Sequence, residues 1–176
     1  SSCWFMPSDM AFLTPDTPVL SMRRIIRHSL SYWLDNEVVP KGAAIGWLEY
    51  DHFLDPNPSL ITCAWDYVTA SGDDAWLADY IRKLELLANY LIARDTDNDG
   101  IIEGESPGTP NALNRPGDRS TNAVDAINFG HKDAYANALA FRAFRCLAEL
   151  EQRLGNHVLE EYYRDFADGI KARYYD

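Results

Sequence analysis

From Asp133 to Leu154 the chain reads DAYANALAFRAFRCLAELEQRL, and after Gly155 a second periodic run extends from about His157 to Tyr174. In the first run Leu139, Ala143, Leu147, Leu150 and Leu154 recur every three or four residues, the interval that aligns side chains on one face of an α-helix. Arg142, Arg145, Glu149 and Arg153 line the opposite side. Asp133 reads as the N-cap, because a short carboxylate can accept from the free amides of a first turn. Gly155 reads as the stop, since glycine accepts the left-handed backbone that ends helices. The second run repeats the spacing with Leu159, Tyr162, Phe166 and Ile170. Two amphipathic helices joined by so short a turn form a hairpin, and the hairpin sets the expected fold class: all-α.

The same grammar extends upstream. A first helix is expected after Thr17-Pro18, carrying Val19, Met22, Ile26, Leu30 and Trp33. Residues 36–58 then read as a loop, with Pro40, Gly42, Gly46, Pro56 and Pro58. A second helix is expected from Ser59, with Ile61, Ala64, Trp65 and Val68 on one stripe. Ser71-Gly72-Asp73 ends it and caps a third, whose stripe is Leu77, Ile81, Leu84, Leu87 and Leu91. Residues 95–132 are rich in Gly, Pro, Asn and Asp and too long for a simple connector, and long ordered loops in compact domains usually carry function. Short turns therefore alternate with long polar loops. The turns are expected at one end of the helices and the loops at the other.

Composition narrows the partners. The 176 residues are 47% hydrophobic, enough for one domain with a real core, so residues 1–176 read as a single unit. A net charge of −11 repels phosphate backbones, and nucleic acid is not an expected partner. Arg23, Arg24 and Arg27 share one helical segment and read as a solvated face. A neutral carbohydrate meets no such repulsion, and 5 tryptophans with 10 tyrosines offer flat rings to stack on a sugar, or to fill the core. Cys3, Cys63 and Cys146 are far apart, and the last two sit in apolar helical patterns as small buried residues. No run is long enough for a membrane span. No signal-like segment opens the chain, which leaves the compartment undefined.

Three acids, Asp118, Asp125 and Asp133, lie in or beside the polar stretch that leads into the 133–154 helix. Cleavage of a glycosidic bond needs one carboxylic acid to protonate the departing oxygen and a second carboxylate to activate water or attack carbon. Asp95, Asp97 and Asp99 take the first, third and fifth places of an EF-hand-like loop, with Gly100 sixth and Ile102 eighth. The twelfth place holds Ser106 instead of glutamate, so the readings are a calcium site or a polar turn whose acids solvate a helix end. In the loop before the second helix, Trp47 can stack on a sugar and Glu49 or Asp51 can bond its hydroxyls. A metal site from Glu49, Asp51 and His52, or a loop folded on the core, are the alternatives. His131 is a further candidate for a sugar hydroxyl, or a capping residue.

Three motifs carry a family resemblance. Ser71-Gly72-Asp73 is similar to a "TGD" turn, and Asp95-Thr96-Asp97-Asn98-Asp99-Gly100-Ile101-Ile102 to a "D-x-D-x-DGL" loop. Asn122-Ala123-Val124-Asp125-Ala126, followed by Ala134-Tyr135-Ala136-Asn137-Ala138-Leu139-Ala140-Phe141, resembles the pattern "TWMDA…EINALWYNAL". Together, from about Asp55 onward, they resemble the six-hairpin glycosidases: the glucosidase domain of glycogen debranching enzyme, trehalases, processing α-glucosidases and α-L-rhamnosidases. The resemblance implies an (α/α)6 toroid and an inverting glycoside hydrolase acting on an oligosaccharide or glycoside. It implies Asp125 as general acid. Asp118 is the second choice, because Gly117-Asp118 resembles the "GDW" loop of rhamnosidase-type members. Trp and Met of the "TWMDA" pattern are Ala123 and Val124 here, and Trp of the "GDW" loop is Arg119.

About half of such a toroid is expected in this chain, with the catalytic base beyond it and the remaining half supplied by the same or another chain. An apolar edge would then be exposed unless a further segment covers it. Related toroids also serve as non-catalytic carbohydrate-binding modules, sugar epimerases or lyases, and these are the rival readings.

Overall fold

The computed structural model describes residues 21–45, 53–104 and 131–174. Among them the chain is all-α, with five helices and no strand. These are α1 (Met22–Asn36), α2 (Pro56–Ser71), α3 (Asp74–Ile92), α4 (Ala134–Arg153) and α5 (His157–Arg173). Val38 and Ala44 form an isolated antiparallel bridge in the first loop.

Two helix starts differ from the expectation. Ser21 is extended and its side chain accepts from Arg24 N at 3.1 Å, so α1 starts at Met22 and not after Thr17-Pro18. The second start comes early. α2 begins at Pro56, not at Ser59, because proline needs no partner for an amide in a first turn, where amides have none within the helix. The remaining ends follow the expected chemistry. Gly72 takes a left-handed φ of 72°, Asp73 accepts from Trp76 N at 3.0 Å, and Asp133 accepts from Tyr135 N at 2.7 Å. Gly155, with φ 78°, ends α4.

Long-range bonds fix the helix directions. Arg27 pairs with Asp73, Trp76 Nε1 donates to Ser31 Oγ, and Tyr80 donates to Asp35, so α1 and α3 run the same way. At the head of α2, Asp55 acts on Tyr135 at the head of α4. Further along, Trp65 Nε1 donates to Glu149 at 2.7 Å, and Gly72 lies beside Arg153. So α2 and α4 are parallel to each other. Each turns back through a short link, 72–73 or 154–156, into α3 or α5. Helices α1, α3 and α5 thus run opposite to α2 and α4. Both short turns fall at one end of the assembly. The connections that leave at Glu37 and Ala93 re-enter at the other end, at the heads of α2 and α4.

The core forms where these faces meet. Leu30, Leu34, Leu60, Ile61, Leu77, Leu84, Leu87, Leu91, Phe144 and Leu147 are all shielded from solvent. Burying each such side chain is worth about 1.5–3 kcal/mol. Helix α2 is buried on nearly every side from Pro56 to Val68 and holds the centre of the described part. On α5 the residue facing the core is Tyr163, at 1% exposure, and not the expected Tyr162, at 46%. Tyr163 lies against Phe144 with ring centroids 6.2 Å apart. A mostly apolar hollow of about 580 Å³, lined by Ala134, Ala138, Phe141, Ile170, Lys171 and Tyr174, remains beside α4 and α5.

Candidate functional site

The loop end is held by two buried asparagines, one near the start of each central helix. Asn57 Oδ1 accepts from Ala44 N at 2.8 Å, and its Nδ2 donates to Gly42 O and Leu87 O at 2.8 and 2.9 Å. Asn137 Oδ1 accepts from Ile102 N at 2.8 Å, and its Nδ2 donates to Ile102 O and Asp133 O. An amide carries both a donor and an acceptor, so each pins a returning strand of backbone to the helix it precedes. Gly42 is required by the first clamp. Its φ is 94°, and a Cβ there would lie 2.4 Å from Leu86 O.

Each central helix also begins with a buried acid. Asp55 precedes α2 and Asp133 caps α4, at 1% and 0% exposure. Tyr135 stands in the field of both. Burial first, then the charges of Asp55 and Asp133, push its hydroxyl above the usual range. Amides at a helix start present partial positive charge, and a carboxylate is favoured there.

The loop after α3 is built around its own acids. Asp95 accepts from Asp99 N and Gly100 N, both at 3.0 Å, and Asp99 Oδ1 accepts from Ile101 N at 2.9 Å. Asn98 takes a left-handed φ of 59° to make this turn. The carboxylates of Asp95, Asp97 and Asp99 approach within 4.8 Å of one another, close enough to share one cation. Lys132 Nζ holds the outer pair, 2.7 Å from Asp97 and 2.5 Å from Asp99, and lies 3.5 Å from Glu103. A calcium ion would have to displace this ammonium. Lys132 is the largest influence holding the Asp99 carboxyl below its ordinary value. For Glu103 the largest is the Thr96 hydroxyl, which donates to it. Arg173 at the end of α5 donates to Asp99 O at 2.8 Å and braces the loop from outside.

Of the residues singled out in the sequence, Asp95, Asp97, Asp99 and His131 gather at this end. His131 is largely exposed, with Nε2 3.8 Å from Glu103. Trp47, Glu49, Asp51, Asp118 and Asp125 lie outside the described residues. The flanks of the segment carrying Asp118 and Asp125 are described, and they touch: Gly104 N donates to His131 O at 2.6 Å. Both flanks therefore stand at the head of α4. Asp55, Glu103, Lys132 and the two asparagines were not singled out as functional from sequence. The signal was faint, an Asn two or four residues after an Asp at a helix start.

The architecture defines an all-α protein of stacked helical hairpins with its polar loops at one end. No protein-family model and no curated protein sequence matches the chain.

Proposed function

We propose that this chain is part of a carbohydrate-active helical toroid, and within that class a glycoside hydrolase. The observation that carries the reading is the contact between Gly104 and His131. It brings both flanks of the segment bearing Asp118 and Asp125 to the head of α4, beside the buried acids and away from the short turns. The alternation of helix directions, with central α2 and α4 heading the loop end, supports a toroid. So does the apolar hollow beside α4 and α5, where a further hairpin would pack.

In this reading Asp125 is the general acid and donates its proton to the glycosidic oxygen as the bond to the anomeric carbon breaks. A carboxylate outside this chain takes a proton from water as its oxygen attacks that carbon from the opposite face. Inversion requires the two carboxyls to stand about 6.5–9.5 Å apart. Trp47 stacks on the sugar, while Glu49, Asp51 and His131 bond its hydroxyls. Calcium at Asp95, Asp97 and Asp99 would brace the loop, and no chemical step runs through it.

The test is turnover of aryl α- and β-glycosides by the full-length protein and its Asp125→Asn and Asp118→Asn variants. We expect Asp125→Asn to lose at least a hundredfold in kcat, the usual scale for removing a general acid. Wild-type turnover in that variant refutes the assignment. A second reading, a binding module without hydrolysis, is favoured by Ala123 and Val124 standing where the family pattern has Trp and Met. Oligosaccharide binding without cleavage by the intact protein would establish it.

A further inference from the structure

At the opposite end, near the short turns, a carboxylate is buried without enough donors. Glu151, in the last turn of α4, has 0% exposure. Its Oε2 accepts from Asn156 Nδ2 at 2.7 Å, but its Oε1 is sealed from solvent with no donor. The group within hydrogen-bonding reach is the carboxyl of Glu85 on α3, another acceptor when ionised. Arg82 Nη1 already donates to both oxygens of Glu85, at 2.9 and 2.7 Å. Two carboxylates facing each other in a closed site repel, and neither can satisfy the other without a proton. A proton bound to Glu151 resolves both problems at once.

We propose that Glu151 and Glu85 share a proton, with Glu151 Oε1–H donating to the Glu85 carboxylate, and that this bond is a pH-sensitive latch tying α3 to the α4–α5 turn. The other groups packed against the pair agree with this. Burial is the largest influence on Glu151 and, with the Glu85 charge, outweighs the opposing Asn156 bond and Arg82 charge, pushing the carboxyl up to about 7. From α5, Tyr163 faces both acids; burial and their charges raise its hydroxyl, so it stays neutral and adds no further negative charge. Asp66 of α2 acts on Cys146, further back along α4. Arg153, beyond Glu151, is engaged with Asp74.

The sign of the effect follows from the raised value. The stabilisation is complete below the ordinary glutamate value of 4.5 and is lost as pH climbs through about 7. The carboxyls of Asp35, Asp73, Asp99 and Glu103 are held low and contribute at lower pH, and comparison with Glu151→Gln removes what any other group adds between pH 5 and pH 8.

Urea unfolding of the wild type at pH 5 and pH 8 should show the folding constant falling on the order of a hundredfold. In Glu151→Gln, which keeps the shape and supplies a permanent donor to Glu85, most of that fall should vanish. Difference infrared spectra of the folded wild type should show a protonated-carboxyl band lost between pH 5 and pH 8 and absent from Glu151→Gln. An unchanged pH slope in Glu151→Gln, or a wild type without that band, overturns the proposal.

Discussion

Replacing Asn57 by leucine keeps roughly the shape of the side chain and removes all of its hydrogen bonds. Three backbone groups lose a partner: Ala44 N, Gly42 O and Leu87 O. Ala44 and Leu87 are both fully shielded, so water cannot readily take the place of the amide. A buried polar group left unpaired costs about 1–3 kcal/mol. Leu87 O lies within α3 and keeps the company of its helix, so it should fall at the low end. The sum is then about 3–4 kcal/mol, a large part of the ~5–15 kcal/mol by which domains are stable. For a chain of this size that lowers Tm by roughly 10 °C. Calorimetry measures the shift, and hydrogen exchange locates it, because Ala44 N should lose protection before the amides of α3. Asn57→Asp sharpens the test. Its carboxylate can still accept from Ala44 N but faces two carbonyl oxygens with no donor, unless protonated. Those carbonyls and burial raise its folded pKa. Asn57→Asp should therefore approach wild-type stability near pH 4 and fall away toward pH 8. Leucine tolerated within 1 °C of wild type, or an aspartate variant without that pH dependence, would refute the idea that this side chain holds the first loop.

Two other expectations concern the same end of the molecule. Lys132→Gln leaves Asp97 and Asp99 without the ammonium that now lies 2.7 and 2.5 Å from them, so calcium should bind this variant at least tenfold more tightly than wild type in calorimetric titration. Equal affinities would show that Lys132 does not hold the cation position. Gly42→Ala forces a Cβ to 2.4 Å from Leu86 O at a φ of 94°, and the loss of stability should exceed 2 kcal/mol, about what a serious steric conflict costs. A Tm unchanged from wild type would mean that this turn has room to relax.

The strongly periodic segments were the most legible. All five residues of the expected α3 stripe, Leu77, Ile81, Leu84, Leu87 and Leu91, are buried, since a helix with one apolar face has one way to pack. Helix α2 was harder to delimit because it is covered on nearly every side, which erases the contrast that marks a stripe. Its two prolines also read as loop residues, although a first turn tolerates them. On α5 the spacing pointed to Tyr162, whereas the structure buries Tyr163 against Phe144, a choice made by a neighbouring helix. At the candidate site the acids of the 95–99 loop and the cap at Asp133 were visible, because their work is local. The clamps of Asn57 and Asn137 were not. Apart from Asp133 O, their partners lie 13 to 35 residues away, and all are backbone atoms, which leave no imprint on the identity of any side chain.

Buried carboxyls occur at both ends of this structure, and their positions along the helices give them opposite work. Asp133 caps α4, where the first amides point outward and the helix dipole favours a negative charge. Asp55 occupies the matching place before α2. Glu151 sits in the last turn of the same α4, where carbonyls accumulate and the dipole opposes a second negative charge beside Glu85. The helix thus disfavours there the charge that it favours at its head. A proton is the smallest group that can relieve that conflict without opening the core, and it ties the stability of the short-turn end to pH.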